Sequence, residues 1–143
     1  YLRDALLDAA SVAETLEKAT SSARLDRVRG EVVAALVDSL TASGTPPLVM
    51  CHISHVYETG CSLYFTVASS QGEQPLETWL AAKSAANDAI VAAGATITHH
   101  HAVGTDHKPW LSAEIGDLGA SVLRAVKADL DPTGVLNPGV LVP

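Results

Sequence analysis

Two apolar runs, "PLVMCHISHVY" over 47–57 and "CSLYFTVAS" over 61–69, stand back to back with only Glu58-Thr59-Gly60 between them. That pattern reads as a β-hairpin. In the second run Leu63, Phe65 and Val67 fall on one face and Tyr64 and Thr66 on the other, the two-residue period of a strand. Segments of helical period flank the hairpin. Over 23–42, Leu25, Val28, Val32, Leu36 and Leu40 recur at three- and four-residue steps, with Val33 and Val37 widening the stripe, which predicts an amphipathic helix. Gly44 and the Pro46-Pro47 pair stop it. A second helix is expected over about 75–93, with Pro75 at its start and Gly94 just past its end.

"ATIT" at 95–98 reads as a short strand, and a third helix is expected over about 110–129 with Leu111, Ile115, Leu118, Val122 and Val126 on one face. "SVAETLEKA", at 11–19, fits either a helix or an edge strand. A sheet with one apolar face is buried by packing helices against it, so the expected class is α+β, an antiparallel sheet with helices packed on one face. No internal repeat or linker divides the chain. One domain is therefore expected over residues 1–143.

Composition narrows the function classes. With 143 residues, 48% of them hydrophobic, the chain can bury a core. A net charge of −7 and nine Lys and Arg do not supply the basic face that nucleic acid or an anionic membrane requires. Cys51 and Cys61 are too few for a disulfide framework, and no signal peptide or spanning run is evident, so a reducing cytosol is expected. The start at Tyr1 and the Pro- and Gly-punctuated tail "DPTGVLNPGVLVP" suggest a piece of a longer protein.

Candidate chemistry gathers in "ATITHHHAVGTDHKPWL", residues 95–111. If the segment is extended, His99 and His101 share one face and His100 takes the other. Three such imidazoles do not grip one ion, and the spacing of Cys51, His52 and His55 is that of neither a zinc finger nor an HExxH helix. No metal site is expected. A solvated polar loop is one reading; the other is proton transfer, for which the imidazole pKa is suited. Tyr64 is either a surface phenol or a second proton carrier beside an imidazole or arginine. Arg3 either pairs with a carboxylate such as Asp4 or grips a substrate phosphate or carboxylate in a bidentate way.

Taken in order, "YLRD", "HVYETGCSLYF", "THHHAVGTDHKPWL" and "LRAVKADLDPTGVLNPG" resemble the C-terminal part of FAD-linked oxidases of the vanillyl-alcohol-oxidase type, nearest the alkyl-dihydroxyacetone-phosphate-synthase branch and its bacterial relatives. The resemblance implies a cap domain that roofs a flavin. FAD would be bound mainly by an N-terminal domain of the same parent chain, and a tail over about 131–143 would return to that domain. It implies that Tyr64, His99, His100 and His101 are catalytic, that Arg3 contacts substrate and that Asn137 approaches the cofactor. The implied reaction exchanges the acyl chain of acyl-dihydroxyacetone phosphate for a fatty alcohol through a flavin adduct, with a lipid-like small molecule as substrate. After the histidines the pattern departs from the family, with Thr105, Asp106 and His107 in place of basic residues and Lys108 retained.

The alternative is a FAD-linked dehydrogenase of a 2-hydroxy acid or similar alcohol, against which the triple histidine counts. A third reading is a self-contained binding module. The lone domain is expected to be inactive and to expose its flavin-facing surface, through which a homodimer is expected. The chain does not close on Ser-Lys-Leu, which favours cytoplasm over peroxisome.

Overall fold

A computed structural model describes residues 4–5 and 8–142. In chain order the elements are β1 (Ser11–Ser21), a 3₁₀ turn (Ser22–Arg24), α1 (Leu25–Ala42), β2 (Leu48–Val56), β3 (Gly60–Ser70), α2 (Pro75–Ala93) and α3 (Lys108–Leu130). The three strands form one antiparallel sheet in the order β1-β3-β2. Helices α1 and α2 pack together over one face of it, the expected α+β layering.

The hairpin and its apolar alternation seed the core. Leu63, Phe65 and Val67 of β3 join Leu16 of β1 and meet Val28, Val32, Leu36 and Leu40 of α1 and Ala82, Ala86, Ile90 and Ala93 of α2. Both helices end where the sequence punctuates them. Gly44 and Gly94 take φ of +79° and +74°, and the amides of Thr45 and Ala95 reach back to the carbonyls of Leu40 and Ile90 at 2.9 and 3.1 Å, closing each last turn in a Schellman-type cap.

The ambiguous N-terminal stretch is the edge strand. Its Glu, Lys and Ala favour helix, but pairing with β3 from Ser11↔Ser70 to Ser21↔Gly60 decides the conformation. Residues 95–98, expected as a strand, are not one. Thr96 donates its amide to Ala19 O at 2.9 Å, while its own side-chain oxygen takes the Ala19 amide at 2.8 Å. The hydroxyl thus occupies the position of a ladder carbonyl and the pairing stops.

The third helix also departs from expectation. Gly116 (φ 72°, ψ 171°) breaks its geometry, so the stripe does not stay on one packed face. Leu111 and Ala120 are buried, whereas Ile115, Val122 and Val126 are exposed and Leu118 is 79% exposed. No helix among the described residues is long and apolar enough to cross a membrane.

Gly60 starts β3 where the backbone of β1 crosses closest. A Cβ there would lie 2.2 Å from Thr20 O, a backbone atom that cannot swing aside. Gly60→Ala is expected to destabilise the fold by about 1–3 kcal/mol, and the core truncation Leu36→Ala by about 2–5 kcal/mol. Urea denaturation of both variants checks this, and a Gly60→Ala midpoint equal to that of the unaltered chain would refute the close approach.

Candidate active site

The sheet face opposite α1 and α2 collects the polar side chains. The register sets Tyr64 between Glu17 on β1 and His52 on β2. An irregularity in β2 between Ile53 and His55 then lets two successive residues reach the same face. Ser54 Oγ donates to Glu17 Oε1 at 2.7 Å, and His55 Nδ1 lies 3.3 Å from the same oxygen. Ser62 Oγ donates to it at 2.9 Å.

The loop after α2 folds over this edge. It brings His99 Nδ1 to 3.5 Å from Oε1 and His101 Nε2 to 3.3 Å from Oε2. Glu17 is only 4% exposed. Burial pushes its pKa up, but hydrogen bonds from Ser54, Ser62 and His99, with the charge of His101, outweigh that and hold it at about 2. It is a carboxylate across the working pH range.

Four of the residues singled out from sequence therefore meet here, though not as expected. His100 adopts φ +60° and Ala102 φ +61°, so the segment is not extended and its imidazoles do not alternate. The rings of His99 and His100 lie 3.9 Å apart between centroids, and His55 meets His100 edge-on at 4.8 Å. A non-glycine residue in this region costs about 1–3 kcal/mol and recurs at functional sites. With the alternation lost, the ground for excluding a metal goes too: Glu17, His55, His99 and His100 present ligand atoms within 4.8 Å of one another.

Tyr64 stacks on His52 at 5.2 Å and takes the edge of His101 at 5.5 Å. His99 belongs instead to Tyr57, whose hydroxyl lies 2.9 Å from its Nε2. Glu17 and Tyr57 were both missed. The one signal for Glu17 was an acid within a strand-like run, and for Tyr57 its place at the hairpin turn.

Arg3 lies outside the described residues. Asn137 (φ +47°) stands in the tail, lining a cleft of about 360 Å³ with Gly104, Lys127 and Leu141, apart from the imidazoles. The tail is tied to the end of the histidine loop by Leu141 N to Gly104 O at 3.0 Å and by Lys108 Nζ to Gly139 O at 3.2 Å.

Beneath the sheet edge the loop has a second anchor. Fully buried Lys18 donates to Ile97 O and to His107 Nε2, the latter at 3.3 Å. His107 Nδ1 in turn donates to Ala102 O at 3.2 Å. Burial, with repulsion from Lys83, outweighs the attraction of Glu114 and lowers Lys18 to about 7. Burial and the charges of Lys18 and Lys83 push His107 down to about 4, leaving it neutral and free to accept.

The chain belongs to the family of FAD-linked oxidases, C-terminal domain, whose profile matches residues 1–141. Among its relatives, alkyldihydroxyacetonephosphate synthase of Dictyostelium discoideum is 33% identical over 144 residues, covering 100% of this chain and 24% of that protein. The Trypanosoma brucei brucei synthase is 32% identical over 146 residues, again covering 100% of this chain and 24% of its own length. A crystal form of alkyldihydroxyacetonephosphate synthase superposes with a TM-score of 0.66 at 28% identity, over 96% of this chain and 22% of its own. The chain thus spans about a quarter of the length of these relatives.

The two anchors predict stability that rises with pH in two separate windows. An ammonium at Lys18 is harder to keep folded (pKa about 7) than unfolded (10.5), so the unfolded chain binds more protons between those values. Stability should rise with pH there, by at most about 1.4 kcal/mol per pH unit, and Lys18→Met should flatten that rise. Glu17, depressed from 4.5 to about 2, stabilises above pH 4.5; that contribution should fade toward pH 2 and be missing from Glu17→Gln. Denaturation midpoints across pH 2–11 read both, and unchanged slopes in the variants would refute the assignments.

Proposed function

We propose that this chain is the C-terminal substrate, or cap, domain of a FAD-dependent enzyme that exchanges the acyl chain of acyl-dihydroxyacetone phosphate for a fatty alcohol in ether-lipid synthesis. The observation that carries the reading is the open sheet face on which Tyr64 meets His101, itself backed by the Glu17 carboxylate. That face also bears exposed Met50 and Leu48 beside His52, a flat, partly apolar wall that suits a planar ring. FAD, held mainly by another domain of the parent chain, would supply the redox-active ring that activates the substrate carbon.

The residues of this chain would do the rest. Tyr64, with His101 as its neighbour, moves the proton at C1 of the substrate. Glu17 fixes the orientation of His101. His99 and His100 pack the same wall. Arg3 takes the phosphate, and the tail over 131–143, with Asn137, returns toward the FAD domain. The chain alone is inactive, and its uncovered wall favours a homodimer; a strictly monomeric sedimentation profile at high concentration would count against that. The two free cysteines suit a reducing cytoplasm.

The test is made on the parent protein, anaerobically, by following flavin absorbance and fatty acid release. Acyl-dihydroxyacetone phosphate should bleach the flavin and release fatty acid, and a fatty alcohol should restore the oxidised spectrum. Tyr64→Phe should slow the release by about 10²–10⁴-fold. Stoichiometric reduction by a 2-hydroxy acid, with colour returning only on adding an electron acceptor, would make the enzyme a dehydrogenase instead.

A further inference from the structure

We infer that Tyr57, His99 and Glu17 form a second acid–base site, distinct from Tyr64, that takes the proton of a hydroxyl group on the substrate. The inference rests on the reading that the open sheet face is a substrate wall.

The contacts fix the direction of the relay. Glu17 is buried and ionised, and a carboxylate only accepts. The Nδ1 of His99 that faces it therefore carries the hydrogen, since a lone pair there would meet the carboxylate oxygen. In a neutral imidazole the other nitrogen must then accept, so the Tyr57 hydroxyl donates to Nε2 across 2.9 Å. The result is a carboxylate–imidazole–hydroxyl chain, the arrangement by which a buried acid orients a base and the base activates an oxygen. The same tautomer removes Nδ1 from the donor set a cation would need. Ser54 and Ser62 already occupy Glu17 Oε1 at 2.7 and 2.9 Å, which also favours the relay over a metal.

Tyr57 is 45% exposed and lines an open cleft of about 480 Å³ with Ala19, Thr20, Thr96 and Glu114. Tyr64 does not line that cleft, so the two phenols serve different places. In the step, a substrate O–H gives its proton to the Tyr57 oxygen as the proton of Tyr57 passes to His99 Nε2. The electron pair stays on the substrate oxygen, and the imidazolium formed lies against Glu17. No oxidant or reductant is needed. The class of ligand is an alcohol with its hydroxyl in this cleft, and under the proposed reaction that is the incoming fatty alcohol. The titratable groups around His99 are His55 and His100 beside it, His101 on the far carboxylate oxygen and Glu114 across the cleft.

Two measurements test it. In the ¹⁵N-histidine-labelled chain, imidazole NMR at neutral pH should show His99 as the Nδ1–H tautomer, and Glu17→Gln should mix the tautomers while Tyr57→Phe leaves the Nδ1–H form. In the parent protein, Tyr57→Phe should lower single-turnover alcohol incorporation at least tenfold more than fatty acid release, and Tyr64→Phe should not show that bias. An Nε2–H tautomer at His99, a zinc titration that captures its Nδ1, or equal losses in both half-reactions would overturn the relay. If the unaltered parent releases no fatty acid at all, the proposed function fails while the tautomer result still decides this site.

Discussion

Adjacent residues of a strand point to opposite faces of the sheet, and on β1 two such residues, the acid Glu17 and the base Lys18, are both buried. Each grips the loop that follows α2. From the open face Glu17 holds His99 and His101; from the helix side Lys18 holds Ile97 and His107. Because β1 is an edge strand, the loop can wrap its free side and be fastened above and below. Helix α3 adds a third tether, as Glu114 takes the amide of Ile97 at 2.5 Å. The imidazoles are thus set by the backbone of β1, and any change in its register against β3 would move the whole cluster.

This fastening is costly. A fully buried lysine loses hydration that a single carbonyl and a neutral imidazole only partly restore, and His100 and Ala102 sit in a backbone region that non-glycine residues avoid. The core beneath offsets this. The alternating face of β3 and the stripe of α1 bury large aliphatic side chains almost completely, and the alanines of α2 let that helix lie close. Stability therefore comes mainly from the helix-covered face, while the open face carries the strain and the polar groups.

The hairpin, α1 and α2 were legible because periodicity and punctuation agree: Leu63, Phe65 and Val67 alternate, and Pro75 and Gly94 bracket their helix to the residue. The sequence of β1 fits helix and strand alike because its composition favours helix and only its partner, distant in sequence, selects the strand. The structure brings Tyr64 to His101 and stacks His99 beside His100, but this geometry is not legible in the sequence, since nothing in "THHHA" announces a positive φ at His100. Glu17 was invisible for a related reason. Its importance comes from the slip in β2 that turns Ser54 and His55 toward it, and such a slip is a property of strand pairing.

The apolar stripe of α3 is informative in its mismatch. Val122 and Val126 recur at helical spacing, as a packed face would require, yet beyond Gly116 they are exposed, together with Leu118, Leu130 and Leu136. A period of this kind is a poor investment on a solvent-facing helix and a good one against a neighbour. The tail that follows is fastened to Gly104 and Lys108 at the end of the histidine loop, so whatever covers the stripe would also bear on that loop. The chain spans about a quarter of its relatives' length, and the far end of α3 and the tail join the exposed stripe to the histidine loop.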